Sequence, residues 1–281
     1  MCDQDQYAED LKKYSRRDVG AIGAAVGVAM MLPRVADAMD VNESEVSIST
    51  PDGVCDAYFA APTSGAHPGV LVWPDIFGLR TAFRQMGKRL AESGYAVLVV
   101  NPFYRVGKAP TASAGANTPF SELGPLMQGS TPETQFTDAK ALTAWLDTRS
   151  EVDKSKKMAT TGYCFGGPLV FRTAATAPDR IGAACTFHGA GLVAMGENSP
   201  HLLIPQMKAQ FLIAIAESDD SRQPDAKDVL RKSFADAELP AEIEVYPAAH
   251  GWCPPDTAVY DYDQSEKAWG RMMALFEKVL A

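Results

Sequence analysis

The chain reads as an α/β protein built on a mostly parallel sheet with helices on both faces. Three observations carry that reading. Short runs such as Gly69–Trp73 (GVLVW) and Ala96–Val100 (AVLVV) are apolar throughout, the mark of strands covered on both sides. Such runs alternate with amphipathic helical segments, and the connections are short enough to imply parallel pairing. Finally, Gly162-Tyr163-Cys164-Phe165-Gly166-Gly167 lies between a strand-like stretch, 158–161, and a helix-like one, 169–175. Glycines on both sides of one nucleophilic side chain, at an abrupt strand-to-helix turn, describe a nucleophile elbow.

The elements follow in order. Residues 46–50 and 55–60 flank Pro51-Asp52-Gly53, a turn signal, and form a hairpin. After the strand Gly69–Trp73, a helix over Thr81–Glu92 carries Phe83, Met86, Leu90 and Ala91 at helical spacing, and Gly94 closes it. Residues 101–131 follow the strand Ala96–Val100. They are rich in Gly, Pro, Ser, Thr and Ala without strong periodicity, and read either as a rim or lid over the site or as plain surface loop. Thr131 as N-cap and Pro132 at the first helical position start a helix over Pro132–Leu146. Beyond the elbow come strands at 182–187, 211–216 and 243–246, with helices at 224–237 and 264–280. Ligands of such sheets bind beyond the carboxyl ends of the strands. Asp75, Cys164, Asp219 and His250 each follow a strand and are expected to gather on one edge.

With 281 residues, 46% of them hydrophobic, the chain can bury one large core, and no linker-like tract or internal repeat divides it. The net charge is −9 with no basic cluster beyond the N-terminus, which argues against nucleic acid as a partner. The N-terminus has its own pattern. Ser15-Arg16-Arg17-Asp18 precedes an uncharged apolar run over 19–32, then Pro33-Arg34 and the small-x-small site Ala36-Asp37-Ala38. These are the three regions of an export leader, too short for a membrane span, and the arginine pair resembles a twin-arginine signal. Residues 1–38 are therefore expected to engage the twin-arginine export machinery. The mature domain, 39–281, is expected in the periplasm without stable membrane insertion. The alternative is an N-terminal helix packed on a cytoplasmic domain. His67, His188, His201 and His250 are scattered and no Cys-x-x-Cys occurs, so no metal site is expected. Cys55, Cys164, Cys185 and Cys253 show no spacing that would set a disulfide.

Thiol chemistry needs a thiolate, and an imidazole within reach supplies it. Cys164 is the candidate nucleophile and His250 the candidate base. Asp219 and Asp220 compete to orient the imidazole, with Asp219 favoured because it comes first after its strand. The backbone N–H groups of Ile76 and Phe165 are the candidate oxyanion donors.

Three segments carry a resemblance: Trp73-Pro74-Asp75-Ile76-Phe77-Gly78, the elbow hexapeptide, and Ala249-His250-Gly251-Trp252. They resemble the signature regions of the dienelactone hydrolases, and the similarity covers 44–281. It implies an α/β-hydrolase fold and a Cys-Asp-His triad. It further implies hydrolysis of small-molecule carboxylic esters or lactones through a thioacyl intermediate, with no cofactor. In that family an acid before Ile-Phe-Gly, usually Glu, modulates the resting cysteine, a role that falls here to Asp75. Well-characterised members hold the substrate carboxylate with arginines, one of them four residues after the triad histidine, where this chain has Pro254. Arg80, Arg84 and Arg105 are the remaining candidate cations, and Trp252 is a candidate pocket wall. Neutral esters or lactones are thus expected to be turned over at least as well as carboxylate-bearing ones unless another arginine is recruited. Acyl transfer to an acceptor other than water would use the same residues. A non-catalytic binding protein or a thiol redox protein, with Cys185 or Cys253 as the second thiol, are the other readings.

Overall fold

A computed structural model of the chain describes residues 9, 10, 12, 13 and 32–281; the arginine pair 16–17 and the apolar run up to residue 31 lie outside them. Eight strands form one sheet: β1 (Val41–Thr50), β2 (Gly53–Pro62), β3 (Gly69–Trp73), β4 (Ala96–Val100), β5 (Met158–Tyr163), β6 (Ile181–Phe187), β7 (Gln210–Ala216) and β8 (Ala241–Tyr246). Their order is β1-β2-β4-β3-β5-β6-β7-β8. The β1–β2 and β2–β4 pairs are antiparallel, and every pair from β4 to β8 is parallel. Strands β3 to β6 are buried along their whole length, as the unbroken apolar runs of β3 and β4 require.

Helices cover both faces. From residue 32 onward the α-helices are α1 (Thr81–Glu92), α2 (Phe120–Met127), α3 (Pro132–Leu146), α4 (Gly166–Thr176), α5 (Glu217–Arg222), α6 (Ala226–Asp236) and α7 (Tyr262–Leu280). On one face Leu142 and Leu146 of α3, Phe171 of α4 and Phe234 of α6 pack on Leu71, Leu98 and Phe211. On the other, Phe83 and Leu90 of α1 and Met272 and Phe276 of α7 pack on Val70, Val97 and Leu212. Adjacent strand residues such as Val70 and Leu71 thus serve opposite layers, which is the period-2 geometry of a strand. Thr131 caps α3 as expected. Its side chain accepts from Thr134 N–H, the Thr134 hydroxyl returns the bond, and Pro132 sits in the first turn.

Two elements differ from the sequence expectation. Residues 101–131 contain a short 3₁₀ turn, Gly115–Asn117, and the helix α2. Gly124 and Pro125 lie inside α2 and argue against a helix on propensity alone. Burial of Leu123, with Phe120, Leu126 and Met127 packed against Ile76 and Phe77, holds it in place. The helix is therefore fixed by tertiary contact with the turn after β3. The second is α5, a six-residue polar helix directly after β7 that carries Asp219 and Asp220. Among the described residues no helix is long and apolar enough to cross a membrane.

Candidate active site

The elbow is built from backbone meeting backbone. Cys164 follows β5 with φ at 50°, a left-handed conformation that costs a non-glycine residue about 1–3 kcal/mol unless its surroundings enforce it. They do. Cys164 N–H donates to Phe187 O at 3.1 Å, and its carbonyl accepts from Gly167 N–H at 3.0 Å and Ala190 N–H at 3.1 Å. A Cβ on Gly162 would stand 2.3 Å from Gly166 O, and one on Gly166 would stand 2.3 Å from Trp73 O. Neither position has room for any side chain. The start of α4 therefore abuts the end of β3, and Phe165 comes close to the turn that follows β3. That turn is fixed by Gly78 N–H to Asp75 O at 3.0 Å and Phe77 N–H to Asp75 Oδ1 at 2.9 Å, with Ile76 between them. Phe165 precedes the first turn of α4, where backbone N–H groups have no acceptor inside the helix.

His250 lies past β8. Its Nδ1 is 2.7 Å from Asp219 Oδ2, and its backbone N–H donates to Ser218 Oγ at 2.9 Å. An ionised carboxylate only accepts, so Nδ1 carries the proton and Nε2 is left as the basic nitrogen. Asp220 turns away, its carboxylate held by Lys227 at 2.7 Å. Of the two neighbouring acids, Asp219 is the one at the imidazole. Cys164 and His250 are linked across the sheet edge: Cys164 N–H binds Phe187 O, and the next ring, His188, packs against His250 with centroids 5.2 Å apart.

Asp75 has a different surrounding from a simple cysteine partner. Its oxygens accept from both terminal nitrogens of Arg80, at 2.6 and 2.9 Å. The same guanidinium binds Asp256 through Nε at 2.6 Å and Nη2 at 2.8 Å, and lies over the Phe83 ring at 4.9 Å. Burial pushes the Asp75 carboxyl above its usual range, and the Arg80 charge opposes that rise. Arg80 is 5% exposed. It therefore acts as a brace between the turn that carries Ile76 and the loop beyond His250, elements 176 residues apart.

A family model, the dienelactone hydrolase family, matches residues 55–280. The chain belongs to that family. Its members hydrolyse ester or lactone bonds, and so this chain is an ester or lactone hydrolase. Among relatives, the "Putative carboxymethylenebutenolidase" of Synechocystis is 26% identical over 248 residues, which cover 86% of this chain and 99% of that one. The protein of the same name from Methylorubrum extorquens is 26% identical over 277 residues, covering 94% and 93%. The crystal structure of the "Putative Dienelactone Hydrolase" from Klebsiella pneumoniae superposes with a TM-score of 0.74 at 26% identity, covering 85% of this chain and 99% of that one.

In this chain the cations and the tryptophan suggested by the sequence are held by other groups. Arg80 is saturated by two carboxylates, Arg84 pairs with Glu45 on the surface, and Arg105 is clamped by Asp138 and Asp52. All three serve the folded domain, because a guanidinium already matched to a carboxylate has little to offer a substrate. Trp252 is fully buried, stacked on Tyr246 with ring centroids 5.3 Å apart, and supports the His250 loop from beneath. It belongs to the core. A cavity of about 340 Å³ opens beside the imidazole instead, lined by His250, Asp219, Gly189, Leu192, Arg222 and Lys227 among others.

Sequence reasoning missed His188. It follows β6 directly with φ at 41°, is fully buried, and packs edge-on against Trp252 as well as His250. Among the described residues neither ring nitrogen has a hydrogen-bond partner. Burial, reinforced by neighbouring His250, holds its pKa well below the usual imidazole range, so the ring stays neutral. The rule that found the other site residues, a polar side chain just past a strand, would have found this one. Cys55, Cys185 and Cys253 are buried free thiols, and burial raises the pKa of each, which keeps them protonated and unreactive.

Arg80→Met removes the brace and leaves Asp75 buried without a counter-charge. A loss of about 3–5 kcal/mol is expected in urea denaturation. A variant of unchanged midpoint and slope would show that the two loops hold their positions without it.

Proposed function

We propose that the chain hydrolyses carboxylic esters or lactones by covalent catalysis, with Cys164 as nucleophile, His250 as general base and acid, and Asp219 as the group that orients it. The observation that carries this reading is the 2.7 Å bond between His250 Nδ1 and Asp219 Oδ2, in a loop whose histidine packs on His188, next in sequence to the Phe187 carbonyl that holds the elbow cysteine. That bond selects the tautomer in which Nε2 can accept the thiol proton, and it stabilises the imidazolium that results. The thiolate attacks the ester carbonyl. Negative charge then develops on the carbonyl oxygen, where the N–H groups of Phe165 and Ile76 are the proposed donors. Collapse expels the alcohol, which takes the proton from His250 and leaves a thioester on Cys164. Water, deprotonated by His250, attacks the thioester. The acid departs, and the thiol regains its proton. For a lactone the alcohol and acid remain one molecule, released in the second half.

Asp75 has a proposed place next to this cycle. Its carboxylate sits two residues beyond β3 and is bound by Arg80. Any exchange of Asp75 between Arg80 and the resting thiol would modulate the nucleophile, as the family resemblance implies.

Three variants test the assignment on a panel of neutral esters and lactones. Cys164→Ala is expected to lower turnover to background with the fold intact. Asp219→Asn is expected to lower kcat by roughly 10²–10⁴-fold, through loss of tautomer control. Asp220→Asn, which loses only its Lys227 pair, is expected to change kcat by less than about twofold. The reverse order for the two aspartates would move the triad acid by one residue, and full activity of Cys164→Ala would remove the nucleophile.

We further propose that residues 1–38 direct twin-arginine export and that the mature periplasmic chain starts at Met39. In the fold, Met39 N–H is already bonded to Glu92 O at 2.9 Å, so the chain from there on belongs to the domain. Replacing Arg16 and Arg17 together by lysine is expected to retain the precursor in the cytoplasm on fractionation. A periplasmic, processed double variant would contradict the targeting.

A further inference from the structure

Three consecutive residues of the short helix α5 hold the segment that carries His250. Strands β7 and β8 run parallel with Ala216 opposite Tyr246, so α5 and residues 247–250 leave the sheet side by side. Glu217 N–H donates to Ala248 O at 3.0 Å. Ser218 Oγ accepts from His250 N–H at 2.9 Å. Asp219 Oδ2 meets His250 Nδ1 at 2.7 Å. Just past the histidine, Gly251 turns the chain with φ at 101°, and its carbonyl accepts from the Thr257 hydroxyl at 2.8 Å.

The contact at Ser218 differs in kind from the other two. One is made by backbone alone, and the other by the acid that orients the ring. A serine within a helix can spend its hydroxyl on the carbonyl four residues back, as Ser221 does on Glu217 O at 2.8 Å. The oxygen of Ser218 is turned to the neighbouring loop. Ser218 is 5% exposed and is not among the residues that line the cavity beside His250. Any effect it has on a reaction must therefore pass through His250.

Asp219 fixes the tip of the imidazole, and Ser218 fixes the backbone from which the ring hangs. A side chain held at one end can still change rotamer. Held at both ends, it directs Nε2 one way. A base that takes a proton first from a thiol and then from water depends on that direction, since a misplacement of about 1 Å can cost roughly a hundredfold in rate.

We infer that Ser218 is a positioning residue for the hydrolysis: its hydroxyl fixes the backbone of His250 so that one orientation of the imidazole serves both Asp219 and the reacting thiol. The inference deepens the hydrolase reading and rests on it for its effect on turnover.

The test compares the full-length chain with its Ser218→Ala and Ser218→Thr variants, by turnover of 4-nitrophenyl acetate and by proton NMR. Ser218→Ala is expected to lower kcat about tenfold. His250 serves acylation and deacylation alike, so both halves slow together and KM stays within about twofold. Ser218→Thr keeps the hydroxyl and is expected to recover kcat to within about threefold of the parent chain. The Nδ1 proton of an imidazole bonded to a carboxylate resonates far downfield, and its loss in His250→Gln assigns the signal. In Ser218→Ala this proton is expected to exchange with water about tenfold faster, because the segment that holds the ring opens more often. Unchanged kcat per folded molecule in Ser218→Ala, even with a lower urea midpoint, makes the serine merely structural and overturns the inference. So does a loss of kcat that threonine does not recover, or a loss of kcat/KM carried by KM alone. Unchanged exchange of the Nδ1 proton overturns it without reference to turnover. If the parent chain hydrolyses no ester, the hydrolase reading fails, and the NMR comparison still decides whether Ser218 positions His250.

Discussion

The close approach of backbone at Gly162 and Gly166 is the constraint on which the rest of the site depends. With no side chain on either residue, α4 starts in contact with the carbonyl of Trp73, and β5 can turn into it within two residues. This packing has three consequences at once. It forces Cys164 to φ 50° at the sheet edge, just past β5. It brings the first N–H of the elbow helix beside the turn that carries Ile76. It also aligns the Cys164 amide with Phe187 O, which sets where His188, and through its ring His250, can lie. The strain of the left-handed cysteine is distributed over three backbone hydrogen bonds and the wholly buried strands around it, which is how a fold retains a sparsely populated conformation.

Charge is divided between two systems with separate tasks. Arg80, nearly dry and clamped by Asp75 and Asp256, ties the turn after β3 to the loop after β8. It fixes the turn that carries Ile76 relative to the loop that follows His250, much as a cross-strut would. The second system is half-open to solvent: His250, Asp219 and Arg222 share the wall of one cavity. Dry pairs hold geometry because removing either partner strands a charge, whereas wetter groups can exchange partners at small cost. The neutral His188 lies between the His250 loop and the core. It fills space under His250 without adding a positive charge that would compete with imidazolium formation.

Much of the architecture was legible in the residues, for identifiable reasons. Strands buried on both faces write uninterrupted apolar runs, so β3 and β4 could be read to the residue. The elbow was legible because close backbone approach admits glycine alone. Thr131 and Pro132 marked the start of α3 through capping chemistry that is local. What could not be read depends on contacts between distant segments. Helix α2 exists because Leu123 finds Ile76 and Phe77, and nothing within its own sequence announces that. The engagement of Arg80 by Asp256 and of Arg105 by Asp138 is likewise a tertiary fact, which is why both arginines looked available. Trp252 resembled a pocket wall for the same reason: an aromatic near a strand end is written identically whether it faces cavity or core.

The central claim is that the elbow cysteine forms a covalent acyl bond with the substrate, and the most direct measurement is its capture. Mixing the Asp219→Asn chain with excess 4-nitrophenyl acetate, quenching in acid within seconds and mapping peptides by mass spectrometry reads the bond itself. The account predicts one acetyl group, on the peptide that contains Cys164, lost on treatment with neutral hydroxylamine as a thioester should be. An acetyl group confined to any other residue, or ester turnover with no thioester on Cys164 at any quench time, would contradict it.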